Sequence, residues 1–267
     1  MVHNKACKTI LGVKKNSSNV ASRAELGRTP LYPYVFGATL RYWHKLISQT
    51  KSKLLAEAYQ SEMALLDKST FSWIEPIKHL TDLTQINTLE TFYSKTVIKN
   101  TEKEVQEQYK DLIMQYLHTI KGNEDGGKLR TYSLLKNNYE IEPYLKSNMP
   151  RQYRCKIAAL RVGSHDLEIE RGRYSIPKIP ANSRYCKFCR TQVEDECHFL
   201  IKCSLYMKQR LQLLTKLKLE EFAKNNDDAS VFIHLLTAEL CNEMSCHEIG
   251  KHIYECLKLR CNATMPK

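Results

Sequence analysis

Four residues with metal-binding chemistry lie close together in the last third of the chain. They are Cys186, Cys189, His198 and Cys203, in the spacing Cys-x2-Cys-x8-His-x4-Cys. Zinc in proteins takes four thiolate or imidazole ligands arranged as a tetrahedron, and this spacing is typical of a zinc knuckle. Because protein side chains would fill all four positions, the sequence predicts one structural Zn²⁺ with no position open for catalysis.

The ligand set leaves alternatives open. Cys197 lies next to His198 and could replace it, giving a four-cysteine site, and a further alternative is that these are buried free thiols. The acidic run Glu194–Glu196 suggests a divalent-metal site, but its position before His198 favours orienting the ligands or capping a helix.

Two other groups of reactive residues have simpler explanations than catalysis or metal binding. Ser164, His165 and Asp166 are consecutive, whereas the members of a catalytic triad usually converge from separate segments. A second cysteine–histidine cluster lies near the end of the chain, where core packing on a helix fits better than a second metal ion. Its members are Cys246, His247, His252, Cys256 and Cys261.

The basic residues are unevenly distributed. Lysine and arginine outnumber the acids 41 to 29, giving a formal net charge of +12. Residues 1–50 carry +7 and residues 121–190 carry +8, whereas 51–120 and 191–267 carry −2 and −1. Two such blocks predict surfaces that bind RNA or DNA mainly through the phosphate backbone, the alternative being solvated faces.

The predicted nucleic-acid surface begins before the knuckle and continues into it. Arg154 and Arg161 are seven positions apart and share a helix face, with Arg151 one turn earlier. Phe188 could stack on an unpaired base or fill the core of the knuckle, while Phe199 is expected in the core. We assign to this surface Arg151, Arg154, Arg161, Arg171, Arg173, Arg184, Lys187, Phe188 and Arg190. A weaker second surface is formed by Lys5, Lys8, Lys14, Lys15, Arg23 and Arg28.

The elements that position these residues are predicted to be α-helices. Apolar residues recur every three or four positions in 40–66, 102–120, 150–161, 204–218, 229–240 and 246–260. Thr101 is the predicted cap of the second of these helices. Turns or a short hairpin around Leu167–Glu170 are expected to lead into the knuckle. We therefore predict an all-α fold with an embedded zinc knuckle, divided into 1–122, 123–185, 186–203 and 204–267, with Asn123–Gly127 as a linker.

Several protein classes are excluded by composition. No apolar run approaches about 18 residues, which argues against a membrane span. The basic first residues lack the apolar stretch of a secretory signal, so the ten cysteines are expected to be reduced, in the nucleus or the cytoplasm.

The ordered series of motifs resembles the region that follows the polymerase core in LINE-type (non-LTR) retrotransposon reverse transcriptases. The segment RYCKFCRTQVEDECHFLIKCSLYMKQR, residues 184–210, is similar to their C-terminal cysteine–histidine motif. Similar upstream and downstream motifs extend the resemblance over nearly the whole chain. They are CKTILGV at 7–13, ELGRTPL at 25–31, RYW at 41–43, FIHLLT at 232–237 and IYECLKLR at 253–260.

The resemblance implies a non-catalytic role in holding template RNA and target DNA during target-primed reverse transcription. It carries the ligands over to Cys186, Cys189, His198 and Cys203, which favours His198 over Cys197. No Tyr-x-Asp-Asp motif or endonuclease part is present, so the expectation is no enzyme activity. The alternatives are a zinc-stapled protein-interaction module or a remnant of a truncated retroelement without function. The oligomeric state and the choice of RNA or DNA stay open.

Overall fold

The structure, a computed structural model, describes residues 2–48, 52–67, 95–121, 127–237 and 242–264. Within these ranges the fold is all-α, which confirms the predicted class. The chain forms two compact units, the first from Met1–Arg28 with Ile113–Lys267 and the second from Thr29–Leu112. None of the described helices is both long and apolar enough to cross a membrane.

The second unit contains α3 (Tyr32–Ser48), α4 (Lys53–Asp67) and most of α5 (Lys95–Thr119). The helix predicted over 102–120 is therefore longer than its apolar pattern indicates. Thr101 lies inside α5 and is not its cap. Within the unit, Arg41 of α3 pairs with Glu102 of α5 at 2.9 Å.

The first unit carries the candidate metal ligands. Its helices are α1 (Val2–Leu11), α2 (Asn19–Glu25), α6 (Arg130–Leu135), α7 (Pro143–Lys146), α8 (Arg151–Arg161), α9 (Glu168–Arg171), α10 (Met207–Leu217), α11 (Glu220–Asn225), α12 (Asp228–Leu236) and α13 (Glu243–Thr264). Short 3-10 turns lie at Ala181–Ser183 and Ser204–Tyr206, and a π-helical turn lies at His198–Lys202.

The core of this unit forms where α13 packs against α8 and α10. Gly250 allows the close approach of α13 to α8, since a Cβ at this position would lie 2.8 Å from the Cβ of Tyr153. Ile157 of α8 and Ile253 of α13 are almost completely buried in the same core. Phe199 and Cys203 of the candidate knuckle belong to that core as well. The knuckle is thus embedded in a larger fold.

A buried cluster of charges joins α2 and α8. The guanidinium of Arg161 contacts the carboxylates of Glu25 at 2.6 Å and Glu142 at 2.8 Å, and it donates to the carbonyl of Leu236. Lys136 pairs with Glu142 from the other side at 2.6 Å. Because Glu25 lies near the start of the chain, this cluster fixes the first helices to the rest of the unit.

Two boundaries differ from the prediction. Turns or a short hairpin are expected around Leu167–Glu170, but Glu168–Arg171 forms the short helix α9. In this part of the described chain, the only β-type pairing is an isolated antiparallel bridge between Tyr185 and Val193, which flank the cysteine turn. The unit boundary also differs from the predicted break at 122–123, because Met1–Arg28 packs with the later part of the chain. Residues 122–126 of the predicted linker lie outside the described residues.

Candidate metal centre and the adjoining cleft

The first two candidate ligands lie on a tight turn closed by backbone hydrogen bonds. The N–H of Cys186 donates to the carbonyl of Gln192 at 2.8 Å, and the N–H of Glu194 donates to the carbonyl of Arg184 at 2.9 Å. Arg190 adopts a left-handed conformation with φ of 57°, which reverses the chain directly after Cys189. This geometry places the sulfurs of Cys186 and Cys189 on one side of the turn.

The other two candidate ligands lie at the ends of the π-helical turn. His198 begins this turn and Cys203 follows its last residue, with the N–H of Cys203 donating to the carbonyl of His198 at 2.8 Å. A carboxylate oxygen of Asp195 accepts the N–H of His198 at 2.6 Å. Asp195 therefore caps the turn that carries His198, as the helix-capping interpretation of the acidic run predicts.

The four ligand atoms form a cluster of the size that one metal ion requires. All lie within 4.8 Å of one another. The sulfurs of Cys186 and Cys203 are 3.9 Å apart, and the sulfur of Cys189 is 3.4 Å from Nε2 of His198. Tetrahedral coordination by zinc gives about 3.8 Å between two sulfurs and about 3.6 Å between sulfur and nitrogen. The cluster could hold a metal ion with little rearrangement.

The choice between Cys197 and His198 is decided by the direction of the two side chains. The sulfur of Cys197 faces the backbone carbonyl of Asp228 at 3.7 Å. Among the residues that the structure describes, the candidate cluster contains His198 and not its neighbour. Adjacent residues on a helical turn diverge, so only one of them can face the other ligands.

Hydrogen bonds around the cluster favour the protonation states in which these side chains bind a metal ion. Nδ1 of His198 lies 3.2 Å from Oε1 of Gln192, so a proton on Nδ1 leaves the lone pair of Nε2 free to face the cluster. Burial lowers the pKa of His198, which favours neutral imidazole. Burial raises the pKa of Cys186 to about 12, opposed by the backbone N–H groups of Cys189 and Phe188. These N–H groups would stabilise a thiolate, and a bound cation would lower the pKa of the thiol.

The two glutamates of the acidic run connect the candidate knuckle to distant helices. Glu194 accepts hydrogen bonds from Arg260 of α13 at 2.7 and 2.9 Å. Glu196 accepts from Arg130 of α6 at 2.6 and 2.7 Å and lies 2.7 Å from Nε2 of His165. These partners hold the pKa of Glu196 well below its ordinary value against the effect of burial. The sequence indicates a supporting role for these acids but contains no local signal for Arg130 or Arg260.

The structure contradicts the predicted basic surface at two positions. Arg161 is only 1% exposed and is paired with Glu25 and Glu142, so it cannot reach a phosphate. Arg184 is 9% exposed, and its guanidinium donates to the carbonyls of Ile169 and Ile179. Arg161 is predicted to share an exposed helix face with Arg154, but it is buried because the C-terminal end of α8 lies in the core.

The other predicted surface residues reach solvent to different extents. Arg151, Arg171, Lys187 and Arg190 are exposed, and Arg154, Arg173 and Phe188 are intermediate. The guanidinium of Arg260 lies over the ring of Phe188, 5.9 Å from its centroid, so this ring already contacts a cation of the protein. Phe199 is buried and packs edge-on against Tyr206, which confirms its predicted place in the core.

A cleft of about 600 Å³ lies beside the cysteine turn. Four cations from separate parts of the chain line it: Lys14, Lys128, Arg171 and Lys187. It is also lined by Asp166, Glu168, Glu170, Tyr174 and Ile179. Each of the three acids lies beside a cation, with Lys14 at 2.5 Å from Asp166, Lys187 at 3.0 Å from Glu168 and Arg130 at 3.0 Å from Glu170. The distribution of charge along the sequence could not predict that these four cations meet, and Lys128 belongs to no recognisable sequence motif.

The remaining reactive residues have structural partners. The hydroxyl of Ser164 accepts from Ser17 and from the N–H of Lys14, whereas His165 is paired with Glu196, so no triad forms. Cys246, His252 and Cys256 are buried on α13 as core packing predicts, whereas His247 is intermediate and Cys261 is exposed. The nine cysteines in the described residues are free thiols.

Comparisons of this chain with protein-family models, curated proteins and solved structures found no match.

Proposed function

We propose that this protein is a non-catalytic nucleic-acid-binding module, of the kind that follows the polymerase core in LINE-type reverse transcriptases, built around a structural zinc knuckle. The proposal combines the resemblance of the motifs with the arrangement of charge. It goes beyond the metal cluster, which by itself indicates only that an ion can be held.

The observation that carries the proposal is the meeting of the two basic sequence blocks in one cleft. Lys14 belongs to the first block, whereas Lys128, Arg171 and Lys187 belong to the second. Lys187 lies between the two cysteines of the turn, so the segment that carries two candidate ligands also contributes a cation to the cleft. Cations on several segments around a concave surface suit the phosphates of a polynucleotide better than a single acidic side chain.

Zinc is the metal that the ligand set favours. Three thiolates and one imidazole are soft or borderline ligands, and all four positions are supplied by the protein. The ion would therefore hold Lys187 and Arg190 in place and would not activate water. Glu194 and Glu196 extend this support to α13 and α6 through their arginine partners.

Binding would be largely independent of sequence. Lysine and arginine side chains neutralise phosphates and release counterions, which makes affinity fall steeply with salt. Phosphate contacts set position along the strand and carry no base information.

The test measures zinc content and RNA affinity together. Wild-type protein is titrated against a fluorescein-labelled RNA of about 20 nucleotides by fluorescence anisotropy, from about 50 to 300 mM KCl. The double variant Lys128→Gln with Arg171→Gln removes two cleft cations. The control, Lys216→Gln with Lys251→Gln, removes two lysines that line a different cavity.

We expect one zinc ion per chain and salt-dependent RNA binding. The cleft variant should bind more weakly and lose about one unit of salt slope for each phosphate contact removed, while the control keeps both. RNA binding without salt dependence, or equal losses in both variants, would contradict the proposal. Salt-insensitive capture of a protein partner would favour the protein-interaction alternative.

A further inference from the structure

The geometry points to a single strand as the ligand of the cleft, with one unpaired nucleotide seated in it, its base against Tyr174 and its phosphate near Lys128 and Arg171. This inference rests on the proposed nucleic-acid-binding function and narrows it. It is carried by the shape of the cleft, by an exposed apolar wall and by the arrangement of its cations.

The size of the cleft suits a nucleotide. Its volume of about 600 Å³ falls within the range of about 300–1,000 Å³ that is usual for pockets holding small organic ligands. A base inside a duplex presents only its edges in the grooves, because its faces are stacked on neighbouring pairs. A concave site of this size can therefore enclose an unpaired base but not a paired one.

One wall of the cleft has the properties of a stacking platform. Tyr174 is 58% exposed and Ile179 is 37% exposed, and both line the cleft. Ile176, on the same loop, is 99% exposed. Apolar side chains presented to water beside cations are typical of surfaces that bind bases of single strands, where each base offers a π-face. Tyr153, another tyrosine of the second basic block, packs between His247 and Tyr254.

A hydrogen bond positions the aromatic ring next to a positive charge. Nζ of Lys128 donates to the hydroxyl of Tyr174 at 3.3 Å and to the carbonyl of Asn16. Both acceptors are neutral, so they orient the ammonium group without cancelling its charge. The ammonium group therefore lies at the hydroxyl end of the Tyr174 ring.

The acids of the cleft do not prevent phosphate binding. Asp166, Glu168 and Glu170 each lie beside a cation. The pKa of Asp166 is lowered despite burial, because Lys14 donates a hydrogen bond to it. The acids therefore keep the lysine and arginine side chains in place around the cleft. Lys128 keeps its charge for the ligand, and Arg171, 3.8 Å from Glu168, is still 51% exposed.

The experiment compares a single strand with a duplex on the full chain. The probes are a fluorescein-labelled oligouridylate of about 12 nucleotides and a fluorescein-labelled blunt-ended RNA duplex, compared at equal phosphate concentration. The variants are Tyr174→Ala, which removes the ring, and Tyr174→Phe, which keeps the ring but loses the hydroxyl. Tyr34→Ala is the control, since Tyr34 is similarly exposed at 46% and does not line the cleft. Zinc content and circular dichroism verify that each variant is folded.

We expect Tyr174→Ala to weaken binding of the single strand about tenfold and to change the affinity for the duplex less than twofold. Tyr174→Phe should retain most of the affinity, and Tyr34→Ala all of it. Equal affinity for both probes, with no effect of Tyr174→Ala, would overturn this inference. The proposed function would still stand if the Lys128→Gln, Arg171→Gln variant lost affinity for both probes. Displacement of the single strand by polyglutamate at equal charge would overturn the inference too. Failure of both probes to bind would overturn both proposals.

Discussion

Arg260 and Glu194, which are 66 positions apart in the sequence, form a buried two-point ion pair. Nε of Arg260 donates to one carboxylate oxygen at 2.9 Å and Nη2 donates to the other at 2.7 Å. Arg260 is 5% exposed and Glu194 is 1% exposed. This contact joins the last described helix to the segment between the candidate metal ligands.

The first prediction concerns this pair. We expect Arg260→Met to lower the free energy of unfolding by about 3–5 kcal/mol, because it leaves a buried carboxylate without its partner. A double-mutant cycle with Glu194→Gln should give a coupling energy of about 1–3 kcal/mol in urea unfolding. The matched control is the exposed pair of Lys216 and Glu248, 2.7 Å apart, for which we expect less than about 1 kcal/mol. Equal coupling in the two pairs would contradict the prediction.

The second prediction separates the two neighbouring candidate ligands. We expect Cys186→Ser to lose stoichiometric zinc, because it removes a sulfur from the cluster. Cys197→Ser should keep one zinc ion per chain, since its sulfur faces the carbonyl of Asp228. Native mass spectrometry measures the stoichiometry, and absorption of cobalt-substituted protein counts the thiolates. Loss of a thiolate signal in Cys197→Ser, with an intact signal in Cys186→Ser, would refute the ligand set.

The third prediction tests the role of Arg161. If this residue stabilises the core, Arg161→Met should lower the free energy of unfolding by about 3–5 kcal/mol, because Glu25 and Glu142 lose their shared partner. Arg154→Met, on the same helix face but less buried, should change it by less than about 1 kcal/mol. Thermal unfolding measures both variants. A folded and equally stable Arg161→Met protein with weaker RNA binding would instead support the surface role that the sequence predicts.

The fourth prediction is a pH dependence that arises from His252. Burial, together with the charge of Arg210, lowers the pKa of His252 to about 4. The unfolded chain takes up this proton near pH 6.5, so the stabilising contribution is complete above that pH. As pH falls from about 6.5 to 4, the free energy of unfolding should decrease by about 3 kcal/mol from this residue.

The measurement for His252 is urea unfolding at a series of pH values for wild type and His252→Gln. Acid also protonates the candidate metal ligands, but this contribution is common to both proteins and cancels in their difference. The difference curve should change between pH 6.5 and 4 and be flat above pH 7. A flat difference at every pH would show that His252 titrates normally.

Local pattern predicts the elements well where an apolar stripe is complete. The stripe over 150–161 predicts α8, which runs from Arg151 to Arg161. It fails at Thr101, because the helix begins at Lys95, and the polar pair Lys99 and Asn100 hides its continuity with Val97 and Ile98. It also fails at Leu167–Glu170, where a short alternating stretch forms one helical turn. Four residues are too few for their spacing to distinguish a strand from a helix.

The sequence by itself determined the ligand types, their spacing and the all-α class, because zinc chemistry and helical periodicity are local properties of the chain. Only the tertiary structure decided that Cys197 turns away, that Arg161 is buried and that Lys14 joins Lys128 at one cleft. These outcomes depend on which segments pack together across more than a hundred residues. Burial and long-range pairing arise from the whole core, so no window of the sequence contains them.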